Sequence, residues 1–102
     1  MNAKTYRTLC MSEEVDPAAL EPVRALGDVD VVAPDGPYLL DHIHEYDALL
    51  PSLKVRVDRE IARRGAQGRL RLIYTPSTGL DHLDLDALKE FGIRMELSLI
   101  RI

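Results

Sequence analysis

Cysteine is nearly missing from this chain of 102 residues, tryptophan is absent, and phenylalanine occurs once. With a single thiol, Cys10, no internal disulfide is possible, so packing alone must hold any core and a reducing compartment is the simplest expectation. No apolar run approaches the ~20 residues of a membrane span. The opening Met1-Asn2-Ala3-Lys4-Thr5-Tyr6-Arg7 has no apolar signal core behind it, so a cytoplasmic location is expected. Positive charge is also in short supply: 13 lysines and arginines face 17 acids, for a net charge of −4. That weighs against nucleic acid, which asks for a basic face, and against an anionic membrane surface. Neither Gly-x-Gly-x-x-Gly nor Gly-x-x-x-x-Gly-Lys-Ser/Thr occurs, so the two common phosphate-cradling loops are excluded. There is no internal repeat, low-complexity tract or domain linker.

What is present is a globular composition, 46% apolar and 29% charged, of a length that makes one domain with one modest core. Apolar runs alternate with helical patterns. Thr5 to Cys10 reads as a first strand. Asp16 and Pro17 open a first helix, striped by Ala18, Leu20, Val23, Ala25 and Leu26, shortened or kinked at Pro22 and stopped by Gly27. Val29 to Ala33 is a β-branched second strand, and Pro34-Asp35-Gly36-Pro37 a turn. Tyr38 to Tyr46 forms a second helix, and Ala48-Leu49-Leu50 a short third strand closed by Pro51. Asp58 to Arg64 is a third helix, acid at its start and arginines at its end, as the dipole favours, with Gly65 and Gly68 as its stop. Leu70, Leu72 and Ile73 make the fourth strand. Asp84 caps a fourth helix with Leu85, Leu88 and Phe91 facing inward and Gly92 at its end, and Ile93 to Leu97 is the fifth strand. Such alternation implies α/β architecture: a parallel sheet with right-handed crossovers, flavodoxin-like and doubly wound, of order 2-1-3-4-5.

Several residues have a chemical reading beside an ordinary one. Ser77-Thr78-Gly79 follows the fourth strand at its carboxyl end, where open parallel sheets bind ligands. Glycine admits close backbone approach, so successive N–H groups can converge on an anion; the ordinary reading is a plain βα turn. Asp81 braces that loop and Asp84 caps the helix after it, both structural roles. Ser52 and Lys54 follow the third strand at the same edge, where Lys54 either meets an anion or is simply solvated. His42 and His44, two apart on a helix, should diverge and so make no metal pair. His82 is a loop residue without a partner carboxylate, and Cys10 a buried thiol without a positive neighbour. After the first strand comes Met11-Ser12-Glu13-Glu14, which would repel phosphate and argues against a flavin or dinucleotide site. A phospho-acceptor receiver domain would need an Asp ending the third strand, where Leu50-Pro51 stands.

From Tyr46 to Leu99 the chain resembles the D-isomer-specific 2-hydroxyacid dehydrogenases, of phosphoglycerate-dehydrogenase-like type. Tyr46-Asp47-Ala48-Leu49-Leu50 looks like a strand of that family. Gly79-x-Asp81-x-x-Asp84-Leu85-Asp86-x-Leu88 and Phe91-Gly92-Ile93 resemble its Gly-Val-Gly-x-Asp-x-x-Asp signature and the helix after it. The resemblance implies the flavodoxin-like substrate domain of an NAD(P)-dependent oxidoreductase. Backbone N–H groups of Thr78 and Gly79 would hold the carboxylate of a small 2-hydroxy or 2-oxo acid, with Ser77 replacing the usual first glycine and Ser52 to Lys54 nearby. The family's catalytic Arg, Glu and His and its Rossmann cofactor domain map onto no residue here. The chain alone is therefore expected to bind no cofactor and to be inactive, with NAD(P) belonging to the full-length parent. Ser98 to Ile102 continues an apolar run with no covering helix, so residues 1–102 are expected to be one substrate domain, either truncated at its C-terminal side or covered there by another chain, as in a homo-oligomer. The alternative is a non-enzymatic flavodoxin-like module, interacting or receiver-like, that self-associates.

Overall fold

A computed structural model describes residues 6–11, 21, 24–25, 27–52, 54–76 and 83–98. Its strands are β1 (Tyr6–Met11), β2 (Gly27–Val32), β3 (Ala48–Leu50), β4 (Leu72–Pro76) and β5 (Arg94–Ser98). All pair in parallel, in the order β2-β1-β3-β4-β5. This is the α/β sheet and strand order expected from the alternating pattern.

The register lines up Asp30, Leu9, Leu49, Ile73 and Met95 as one row across the five strands. Neighbours in register share a face, so this row marks the covered side. Helices α1 (Gly36–His42), α2 (Arg59–Gln67) and α3 (Leu85–Glu90) connect β2 to β3, β3 to β4 and β4 to β5. Those three steps run in one direction across the sheet, and right-handed crossovers place their helices on one face. Leu39, Ile43, Ile61, Ala62, Ala87 and Leu88 from that layer close on Leu9, Leu49 and Ile73 to form the buried core. The step from β1 to β2 runs the other way; the first helix expected there lies almost wholly outside the described residues.

Several boundaries differ from expectation, each for a local reason. Gly27 is expected as a helix stop, and where that helix ends lies outside the described residues. Gly27 is the first residue of β2, paired with Tyr6, and a Cβ there would sit 2.1 Å from the Tyr6 carbonyl oxygen. Asp35 lies not in a turn but at the N-cap of α1, where its carboxylate accepts from the Tyr38 N–H at 2.9 Å. The second helix does not run to Tyr46. It ends at His42, tightens into a 3-10 turn (Ile43–Glu45), and turns extended at Tyr46, whose buried ring would otherwise miss its partner on β2. Gly65 does not end α2 but lies inside it, against Leu70 and Ile43. Leu70 belongs to no strand; it is buried in the turn before β4. Leu85 does not face inward: it is 43% exposed, because Leu83, Ala87 and Leu88 take the inward positions.

Candidate functional site

Two connections meet at the carboxyl edge of the sheet. One runs from β3 to α2, the other from β4 to α3. They are joined by an isolated parallel bridge between Val57 and Leu83, and the Asp84 N–H donates to the Val57 carbonyl at 3.0 Å. Val57 is fully buried and Leu83 nearly so. Each is followed by an aspartate that caps the next helix: Asp58 accepts from the Ile61 N–H at 3.0 Å, and Asp84 from the Ala87 N–H at 3.1 Å. A buried apolar residue plus a capping acid thus occurs twice, side by side, and satisfies helix-terminal donors that water would otherwise have to meet. Pro76, paired with Ser98, holds the other side of the β4 connection. Ser77, Thr78, Gly79, Asp81 and His82 lie between these fixed points, outside the described residues.

Ser52 and Lys54 sit on the neighbouring connection. The Val55 N–H reaches the Ser52 carbonyl at 3.3 Å, and the Lys54 N–H donates to the Ser52 hydroxyl oxygen at 3.0 Å. This local hydroxyl-to-backbone bond shapes the turn and anchors it on the buried Val55. Lys54 is exposed and, with Arg56, lines an open concavity of about 550 Å³ that also meets Asp41, Asp58 and Glu60. Two cations against three acids make that concavity no anion pocket.

The other singled-out residues are accounted for structurally. Cys10 is buried, and burial pushes its thiol pKa up, against a smaller opposite pull from Arg24. This keeps it protonated and unreactive. His42 and His44 do not diverge: His42 Nδ1 lies 3.3 Å and His44 Nε2 3.8 Å from the same Glu45 oxygen, because the tighter 3-10 turn brings all three side chains together. Among the described residues no group of three His, Cys, Asp or Glu residues could hold a metal ion, and no helix is long and apolar enough to cross a membrane.

Sequence reasoning missed a polar network near the opposite, amino-terminal edge. The Tyr46 hydroxyl donates to Asp30 at 2.6 Å. The Arg7 guanidinium lies 3.3 Å from that carboxylate and 4.7 Å from the centre of the Tyr46 ring. Beside it Asp47 accepts from the Arg7 N–H at 2.8 Å and from the Arg69 guanidinium at 2.5 Å. The available signal was a pair of acids, Asp28 and Asp30, alternating with valines in the second strand.

A family model described as D-isomer specific 2-hydroxyacid dehydrogenase, catalytic domain, matches residues 9–95. This chain belongs to that family. The match begins well ahead of Tyr46, so it takes in the end of β1, β2 and α1 as well as the glycine signature. D-3-phosphoglycerate dehydrogenase 2, chloroplastic, of Arabidopsis thaliana is 32% identical over 87 residues, which make up 82% of this chain and 14% of that protein. Among solved structures, a protein from Pyrococcus horikoshii superposes with a TM-score of 0.80 at 24% identity, over 95% of this chain and 28% of that one. The NAD+-bound 3-phosphoglycerate dehydrogenase of Entamoeba histolytica superposes with a TM-score of 0.71 at 18% identity, over 90% of this chain and 32% of that one. These two superpositions establish a shared fold. The chain therefore spans a small part of the dehydrogenases it matches.

Proposed function

We propose that this chain is the substrate domain of an NAD(P)-dependent D-2-hydroxyacid dehydrogenase and recognises the carboxylate of a small 2-hydroxy or 2-oxo acid. Backbone N–H groups of Thr78 and Gly79 hold the carboxylate, Ser77 adds a hydroxyl, and Ser52 and Lys54 approach from the next connection. The observation that carries this reading is the Val57–Leu83 bridge with its 3.0 Å bond from Asp84. It ties the Ser52–Lys54 connection to the end of the signature turn, so residues more than twenty positions apart can address one ligand. Fixed donors aimed at an anion need no reorganisation when it binds.

The nicotinamide cofactor does not fit this chain's own residues. The first strand runs into Ser12-Glu13-Glu14, with two acids where a pyrophosphate would need N–H donors and glycine. In the proposal, residues outside these 102 hold NAD(P) and supply the acid–base group, while this chain binds and orients the acid. The test is steady-state kinetics on the dehydrogenase that carries this chain, with NADH or NADPH and pyruvate or glyoxylate. Lys54→Ala should raise KM for the 2-oxo acid about tenfold, the order expected for one charge-assisted contact, and leave kcat within about twofold. An unchanged KM would remove Lys54 from the site, and no turnover with any 2-oxo acid would remove the proposed activity.

A further inference from the structure

Positive charge in this acidic chain is gathered on α2 and the segment that follows it. Residues 59–71 hold five arginines and a single acid, Glu60, although the whole chain carries −4. Two of these, Arg63 and Arg64, line an open concavity of about 370 Å³ with His44, Gln67 and Gly68. It lies beside the segments that lead into β3 and β4, at the amino-terminal end of the sheet and away from the carboxyl edge. Its walls are fixed to one another. The Arg69 N–H donates to the His44 carbonyl at 3.0 Å, and a Cβ on Gly68 would lie 2.4 Å from that oxygen. Glycine is what lets the C-terminal end of α2 close on the 43–45 turn.

The charge there is only partly neutralised. Glu60 accepts from Arg63 Nε at 3.1 Å, from a terminal nitrogen of Arg63, and from Arg64 Nε at 3.1 Å. That is three of the roughly ten N–H donors that two guanidiniums carry. On α2 one carboxylate faces two guanidiniums, and although Glu45 stands 3.8 Å from His44 Nε2 on the facing turn, most of the arginines' N–H donors are left unspent beside the concavity. A helix C-terminus would normally oppose an anion, but here Arg71 Nη1 reaches the carbonyls of Ala66, Gly68 and Leu70 at 3.3, 3.2 and 2.8 Å. It offsets part of the negative end of α2 through the carbonyls of Ala66 and the cap Gly68.

We propose that this concavity binds a small phosphate-type anion, either free or as the phosphate group of a small ester, separately from the 2-oxo acid at the opposite edge. Guanidinium forks match phosphate geometry, and an anion with several acceptor oxygens suits the N–H donors that Glu60 leaves unspent. The test is an amide NMR titration of the chain with inorganic phosphate and with pyrophosphate, against sodium chloride at matched ionic strength. Saturable shifts are expected at His44, Arg63, Arg64, Gln67 and Gly68. The double variant Arg63→Gln/Arg64→Gln should weaken binding at least about tenfold, and Glu60→Gln, which removes the only local acid on α2, should tighten it. Shifts that never saturate and are matched by chloride mean an adventitious ion only and overturn the proposal, as does a Glu60→Gln variant that binds no tighter. Because Glu60→Gln keeps both arginines, it decides the question even if the double variant fails to fold.

Discussion

Tyr46 shows how one side chain can join elements that lie far apart in the chain. Its ring is 2% exposed, its hydroxyl donates to Asp30 on β2 at 2.6 Å, and Arg7 from β1 stacks over it. Tyr46→Phe removes one charge-assisted hydrogen bond but leaves Asp30 half-exposed and able to recruit water, so a loss of about 1–1.5 kcal/mol in urea unfolding is expected. The same residue makes an alkaline prediction. Burial and the bond to Asp30, with a lesser bond to Tyr38, raise its pKa far above the ordinary value. The unfolded chain then ionises first, so this stability is intact below about pH 10 and is lost as pH rises beyond it. Urea midpoints measured between pH 9 and 11 should fall more steeply in the wild type than in Tyr46→Phe. Some slope should survive in the variant, because burial also raises the pKa of Tyr6. None of this was legible in the sequence, where Tyr46 and Asp30 are sixteen residues apart and their pairing depends on register.

At the scale of elements, what the sequence states locally was readable and what depends on packing was not. Asp84 is visible as a cap, and Asp58 as the acid that opens a helix, because a short acid before an apolar periodic run satisfies orphan N–H groups wherever it occurs. Asp84→Ala should cost about 1 kcal/mol in urea unfolding, and Asp84→Asn, which still accepts from the Ala87 N–H, should retain most of the stability. Hydrogen exchange should also speed up at the Asp84 amide in the alanine variant, because that amide donates to Val57. An equal loss for Ala and Asn would show that charge rather than capping matters. Gly65 teaches the opposite lesson. From sequence it reads as a stop, yet it lies inside α2, where a Cβ would meet Leu70 Cδ2 at 2.5 Å and Ile43 Cγ1 at 3.3 Å. Glycine to alanine inside a helix ordinarily stabilises by about 0.5–1 kcal/mol. At Gly65 overpacking should win, because Leu70 is fully buried, and a net loss of about 1–2 kcal/mol is expected. A rise in Tm would mean that Leu70 moves aside without cost.

For the whole molecule, strand order followed from alternation plus handedness, two constraints that leave few topologies open to five strands and their connecting helices. The site was legible only in part. Its glycine signature and both flanking connections could be named, but the Val57–Leu83 bridge between them is a pairing across 26 positions that no local pattern announces. That bridge bears on catalytic competence. In the proposed function the two connections, held together, form one wall of an anion site, while hydride transfer also needs a nicotinamide beside C2 of the acid and a group to move a proton. In that proposed function both come from residues beyond the 102. The purified chain mixed with NADH and pyruvate should therefore oxidise NADH no faster than buffer, and the longer dehydrogenase should do so with saturation in both substrates. Turnover by the 102-residue chain above the buffer rate would overturn the division of labour proposed for it, since the acid–base group and the cofactor site would then have to lie within these strands. A silent chain beside an active longer protein places the chemistry in the assembled cleft and leaves to this domain the recognition of the acid.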